Sequence, residues 1–234
     1  MPSTDSTSAL SLTHLSRPPS ASQPGQPPLL VLLHGVGSNE RDLFSFAAAL
    51  DPRFHVVSVR APLVRGPDSF AWFDVQFLPN GFAISADHLR ASRERMVQFV
   101  GEAVAAYHAD PARVYLLGFS QGAIMSLATA LSSPALVAGI VALSGRIPPE
   151  VRPSIALPAE LTGLPILLIH GQRDAVIPLS YAHEARELLE TLPVALTYRE
   201  YDMAHEITER ALADVSRWLS ARLDSPRRLP PSAG

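Results

Sequence analysis

Arg113-Val-Tyr-Leu-Leu-Gly118-Phe119-Ser120-Gln121-Gly122-Ala-Ile-Met-Ser-Leu127 carries an apolar run straight into a helix-like stretch that continues to Ser132. A G-x-S-x-G string between a strand and a helix reads as a nucleophile elbow, in which the serine occupies a sharp, strained turn and needs small neighbours. Gly118 and Gly122 leave that room. Taken alone, the string also admits an ordinary glycine-rich turn capping a helix, a reading that the flanking strand and helix already weaken and that the residues downstream decide.

An elbow serine needs an acid after a later strand and a histidine on a loop before the last helix, in that chain order. Leu164-Pro-Ile-Leu-Leu-Ile169 is a short apolar run of the buried-strand type and leads into His170-Gly171-Gln172-Arg173-Asp174. Asp174 therefore falls on a loop at a strand's carboxyl end. A further strand-like run, Val194 to Tyr201, leads to Asp202-Met203-Ala204-His205-Glu206, and the apolar spacing of Ile207, Ala211, Val215, Trp218 and Leu219 is helical. Ser120 is thus the candidate nucleophile, His205 the base that takes its proton, and Asp174 the group that holds the imidazole tautomer. Asp202 is the rival acid, although it lies only three residues from His205 and no strand end directs it to Ser120. Asp174 would also serve as an ordinary turn cap.

Acyl transfer also requires donors for the developing negative charge, each worth roughly 3 to 4 kcal/mol. Leu29 to Leu33 reads as a buried strand running into His34-Gly35-Val36-Gly37-Ser38-Asn39, otherwise a plain turn. The amides of Val36 on this loop and of Gln121 after the serine are the candidate oxyanion donors.

Taken jointly, Leu33-His34-Gly35-Val36-Gly37-Ser38-Asn39-Glu40, Arg60-Ala61-Pro62, Trp72-Phe73-Asp74, the Gly118 to Leu127 stretch, His170-Gly171 with Asp174 and Pro178, and His205-Glu206-Ile207 resemble the phospholipase/carboxylesterase family. That family includes acyl-protein thioesterases and bacterial carboxylesterases, and the pieces follow its order over residues 29 to about 222. The resemblance implies an α/β-hydrolase fold, hydrolysis of carboxylic esters or thioesters, no cofactor and no metal, with Ser120, Asp174 and His205 catalytic and the Val36 and Gln121 amides as oxyanion donors. Relatives are often homodimers, while the residues themselves leave the oligomeric state open. Ala204 departs from the glycine that many relatives carry before the histidine.

With 234 residues, 47% of them hydrophobic, the chain suits one domain with a large core. A formal net charge of −3 gives no basic excess, so nucleic acid is not an expected partner. The absence of cysteine excludes a disulfide scaffold, a thiolate nucleophile and a cysteine zinc site, and the absence of lysine excludes Schiff-base and P-loop lysine chemistry. No apolar run approaches the ~20 residues of a membrane span, and no signal-like amino-terminal segment is seen, so a soluble cytoplasmic protein is expected.

Residues 1–27 form a Ser- and Pro-rich tail in which Leu10-Ser11-Leu12-Thr13 is a candidate edge strand; 28–224 form the hydrolase domain, and 225–234 a Pro-rich tail. Within the domain, strand-like runs near 29–33, 55–60, 113–118, 137–143, 164–169 and 194–200 alternate with helix-like runs near 40–50, 85–108, 121–132, 180–191 and 206–222. That alternation predicts a mostly parallel central sheet flanked by helices, with ligands at the carboxyl ends of the strands. The connection from Gly145 to Gly163 is too short for a helical cap domain, which leaves the site open on one side. The aromatic segment Ser69 to Pro79, outside the expected strands, supplies Trp72 and Phe73 as candidate acyl-pocket residues, or else anchors a long loop on the core. Expected substrates are small acyl esters, lysophospholipids or S-acylated protein. A catalytically silent hydrolase-fold protein that binds a small ligand or a protein partner is the alternative.

Overall fold

The computed structural model of the chain describes residues 10–21, 23–78 and 81–225. The first nine residues of the amino-terminal tail, Pro79 of the aromatic segment and the carboxyl-terminal tail from residue 226 lie outside them. In chain order the strands are β1 (His14–Arg17), β2 (Leu29–Leu33), β3 (His55–Val59), β4 (Leu63–Gly66), β5 (Ser69–Ala71), β6 (Val75–Leu78), β7 (Gly81–Ile84), β8 (Val114–Phe119), β9 (Gly139–Leu143), β10 (Pro165–Gly171) and β11 (Ala195–Tyr201). The helices are α1 (Arg41–Phe44), α2 (Ala86–Ala106), α3 (Gln121–Ser132), α4 (Pro158–Leu161), α5 (Leu179–Glu190) and α6 (Glu209–Asp224).

Seven strands form one sheet in the order β1-β3-β2-β8-β9-β10-β11. All its pairs are parallel except β1 with β3. Continuous apolar runs are what a sheet covered on both faces requires. Along β2, Leu29, Val31 and Leu33 pack into the cluster that holds α2 and α3, whereas Leu30 and Leu32 point to the opposite cluster with α1 and α6. The two-residue side-chain period thus divides one apolar string between two cores. This is the expected α/β-hydrolase arrangement, and the Gly145 to Gly163 connection contains only a 3-10 turn and the one-turn α4, with no cap domain.

Three local expectations need correction. The edge strand is His14–Arg17 rather than Leu10 to Thr13, because the His14 ring bonds the Leu12 carbonyl at 2.9 Å and folds the preceding residues into a bend around the buried Leu12. The helix expected near 40–50 is broken into α1 and a 3-10 turn at Ala47–Ala49, where Phe46 N–H and Ala49 N–H bond three residues back. The aromatic segment is not a plain loop: β4 with β5, and β6 with β7, form antiparallel hairpins. The first turns through Asp68, whose φ of 52° is left-handed, as an Asp in a tight turn tolerates.

Candidate active site

At the end of β8 the backbone enters Ser120 with φ 55° and ψ −118° and continues directly into α3. A side chain on either flanking glycine would collide: a Cβ on Gly118 would lie 2.1 Å from the Gly122 carbonyl oxygen, and one on Gly122 would lie 1.9 Å from that of Leu33. The strained turn is therefore held by close backbone packing, and its peptide is pinned by Ser120 N–H to Leu143 O at 2.9 Å.

Ser120, His205 and Asp174 come together at the carboxyl ends of β8, β10 and β11. His205 Nε2 lies 2.9 Å from Ser120 Oγ, and His205 Nδ1 lies 2.7 Å from Asp174 Oδ2. An ionised carboxylate only accepts, so the imidazole proton sits on Nδ1 and Nε2 is free to accept the hydroxyl proton. The second oxygen of Asp174 accepts backbone N–H bonds from Val176 at 2.9 Å and Ile177 at 2.8 Å, which fixes the carboxylate's orientation. Phe119 packs against the His205 ring at 4.9 Å between centroids. Asp202, the rival acid, points away to an exposed ion pair with Arg173 at 2.5 Å.

His170 supports the acid loop. Its Nε2 donates to the Ile177 carbonyl at 2.7 Å and stands 3.4 Å from Asp174 Oδ2. Burial pushes its pKa down, which keeps the ring neutral beside the carboxylate.

On the other side of Ser120, the His34 to Val36 loop approaches closely, since a Cβ on Gly35 would meet Ser120 Cβ at 3.3 Å. Ala61 N–H donates to His34 Nε2 at 3.0 Å, so His34 Nδ1 carries the proton and donates to the Gly35 carbonyl at 2.7 Å. Burial lowers the pKa of His34 as well and preserves that neutral tautomer. Among the described residues no acceptor engages the Val36 or Gln121 amide, and both residues border the cavity over Ser120. The family-like residues Glu40 and Arg60 brace the same loop through a two-pronged ion pair at 2.6 and 2.7 Å. That contact with Arg60 also lowers the Glu40 pKa.

The cavity measures about 150 Å³ and is walled chiefly by Phe73, Val75, Ile124, Val176 and Ile177. Arg65 stands in its lining, ion-paired to Asp74 at 2.6 Å. Of the two candidate acyl-pocket residues, Phe73 borders this cavity and Trp72 does not. Trp72 is fully buried in the core beneath the site, where its indole N–H donates to the His34 carbonyl at 2.9 Å. The packing fits the anchoring alternative for this side chain. Ile124, Val75, Val176 and Ile177 escaped the sequence reading because nothing in an apolar side chain distinguishes a pocket wall from a core position.

Among the described residues no group of three His, Cys, Asp or Glu side chains could hold a metal ion, and no helix is long and apolar enough to cross a membrane. Residues 20–223 match the model of the phospholipase/carboxylesterase family. The chain is similar to the esterase YpfH of Escherichia coli, with 33% identity over 79% of this chain and 78% of that one. It is also 27% identical to a rice protein named as a probable inactive carboxylesterase, over 86% of this chain and 87% of that one. A Bacillus cereus carboxylesterase structure, 23% identical, superposes with a TM-score of 0.77 over 91% of this chain and 95% of that chain, a likeness of fold.

Proposed function

The chain belongs to the phospholipase/carboxylesterase family and is a hydrolase, and from that premise we propose that it cleaves carboxylic esters or thioesters through Ser120, His205 and Asp174 by way of an acyl-enzyme. The observation that carries the reading is the unbroken hydrogen-bond path from Ser120 Oγ through both ring nitrogens of His205 to Asp174. Ser120 Oγ attacks the acyl carbon as its proton passes to His205 Nε2. The carbonyl oxygen becomes an oxyanion facing the Val36 and Gln121 amides. Collapse of this intermediate expels the alcohol or thiol, which takes the proton from His205. Water then attacks the acyl-serine with His205 again as base, releasing the acid and restoring the hydroxyl. Asp174 keeps the proton on Nδ1 and stabilises the imidazolium without itself being protonated.

The acyl group occupies the cavity lined by Phe73 and Ile124. At about 150 Å³ that space is smaller than the ~300–1,000 Å³ of clefts for drug-sized ligands, which favours short acyl chains. The name of the rice relative favours a second reading, binding without turnover, but the three aligned side chains here speak against it.

Labelling with a fluorophosphonate, followed by turnover of p-nitrophenyl esters and matched thioesters of increasing chain length, tests the proposal. Labelling that Ser120→Ala removes, with turnover highest for short chains, is the expected result. Wild-type protein that stays unlabelled and leaves every ester intact would identify a binding protein instead.

A further inference from the structure

The amides of Val36 and Gln121 belong to different elements, the loop after β2 and the first turn of α3. Sheet pairing sets Leu33 beside Gly118, but among the described residues no backbone hydrogen bond joins the loop beyond Leu33 to α3. The segment from Phe70 to Phe73 bonds to both. On the loop side, Gly37 N–H donates to Phe70 O at 2.8 Å, Phe70 N–H donates to Ser38 O at 2.9 Å, and the Trp72 indole donates to His34 O at 2.9 Å. On the helix side, Trp72 N–H donates to Gln121 Oε1 at 2.9 Å and Gln121 Nε2 donates to Phe73 O at 2.8 Å. A sixth tie, from Ser92 Oγ on α2 to the Trp72 carbonyl at 2.5 Å, holds the segment from behind.

We propose that Trp72, with the Gln121 side chain, is a positioning residue whose buried bonds set the spacing and tilt of the two oxyanion donors. The inference rests on the acyl-transfer reading above. Its physical basis is the peptide plane: the Gly35 carbonyl and the Val36 N–H are rigidly coupled, and the His34 ring holds that carbonyl. His34 is in turn held at three points, by Ala61 N–H at one ring nitrogen, by the Trp72 indole N–H at its backbone carbonyl, and by packing of its ring against the indole at 5.8 Å. Donors aimed at an oxyanion act only when they lie 2.7–3.1 Å from where it forms, so small rotations of this plane cost turnover before they cost substrate binding. Trp72 and Gln121 are both buried, and each polar atom of their side chains has a partner, as a network that specifies geometry requires.

The test compares wild type, Trp72→Phe, which removes the indole N–H but keeps an aromatic ring, and Gln121→Met, which removes both side-chain bonds and leaves the backbone amide. For each, kcat and KM on p-nitrophenyl butyrate, inhibition by a trifluoromethyl ketone that forms a tetrahedral adduct, and the melting temperature are measured. In both variants kcat is expected to fall about tenfold or more with KM within about twofold, and ketone affinity to fall in parallel. If Trp72→Phe does not fold, Gln121→Met carries the same comparison. Wild-type kcat and ketone affinity in the folded variants, with only the melting temperature lowered, would reduce the bracket to a core contact and overturn the proposal. Wild-type turnover that survives Ser120→Ala would instead remove the acyl-transfer reading itself.

Discussion

Asp174 Oδ2 meets His205 Nδ1 at 2.7 Å across 31 residues of sequence, while the other Asp174 oxygen is tied to two amides of its own loop. The carboxylate therefore cannot turn away without breaking three bonds.

Asp174→Asn is expected to leave the fold intact and to lower kcat by about 10³ to 10⁴, because an amide in that place can donate to Nδ1 and favour the wrong tautomer. Steady-state turnover beside a thermal melt checks this. A variant within tenfold of wild type would take Asp174 out of the reaction.

Two glycines in helices should behave oppositely. Gly122→Ala drives a Cβ to 1.9 Å from the Leu33 oxygen, so it should cost about 4 kcal/mol or more and lower the melting temperature by at least about 10 °C. At Gly101 in α2, a Cβ meets nothing within 4 Å, and Gly101→Ala should stabilise by about 0.5–1 kcal/mol. Calorimetry on the pair reads both signs at once.

Ile124 forms a cavity wall and is almost wholly buried. Ile124→Phe should fill the space and reduce kcat/KM for octanoyl esters about tenfold or more, while acetyl esters stay within about threefold. An equal loss for both chain lengths would place the acyl group elsewhere.

His55 is buried at the start of β3, with its ring 4.2 Å from that of Tyr107. Burial, followed by the charges of Arg17 and His14, pushes its pKa down from 6.5 to about 4. The unfolded chain then binds a proton that the folded one refuses. The resulting stability is complete above pH 6.5 and is lost as the pH falls from 6.5 toward 4, on the order of 3 kcal/mol in all. His34 and His170 add to the same trend, their pKa values being lowered too. Urea unfolding across that range should therefore be less pH-dependent in His55→Phe than in wild type. Parallel curves would refute the assignment.

The strands and most helices were readable because their signals are local. Runs such as Leu29 to Leu33 and Pro165 to Gly171 alternate between two buried faces, and the helix from Gln121 to Ser132 begins where the elbow must end. Ser120, Asp174 and His205 could be singled out as candidates for the same reason, since each stands near a strand end in the chain order of a serine-acid-histidine set on a parallel sheet.

Nothing local separates Asp174 from Asp202, or Trp72 from Phe73. In both pairs tertiary packing decided: the β10 loop turns Asp174 inward while Asp202 pairs with Arg173 in solvent, and the indole sinks below the site while the neighbouring phenyl ring borders the cavity. Sequence determined which chemical groups this protein has at its strand ends, because periodicity and turn chemistry act over a few residues. Only the tertiary structure decided which of them face one another, because hydrogen-bond geometry between distant segments depends on how the whole core closes.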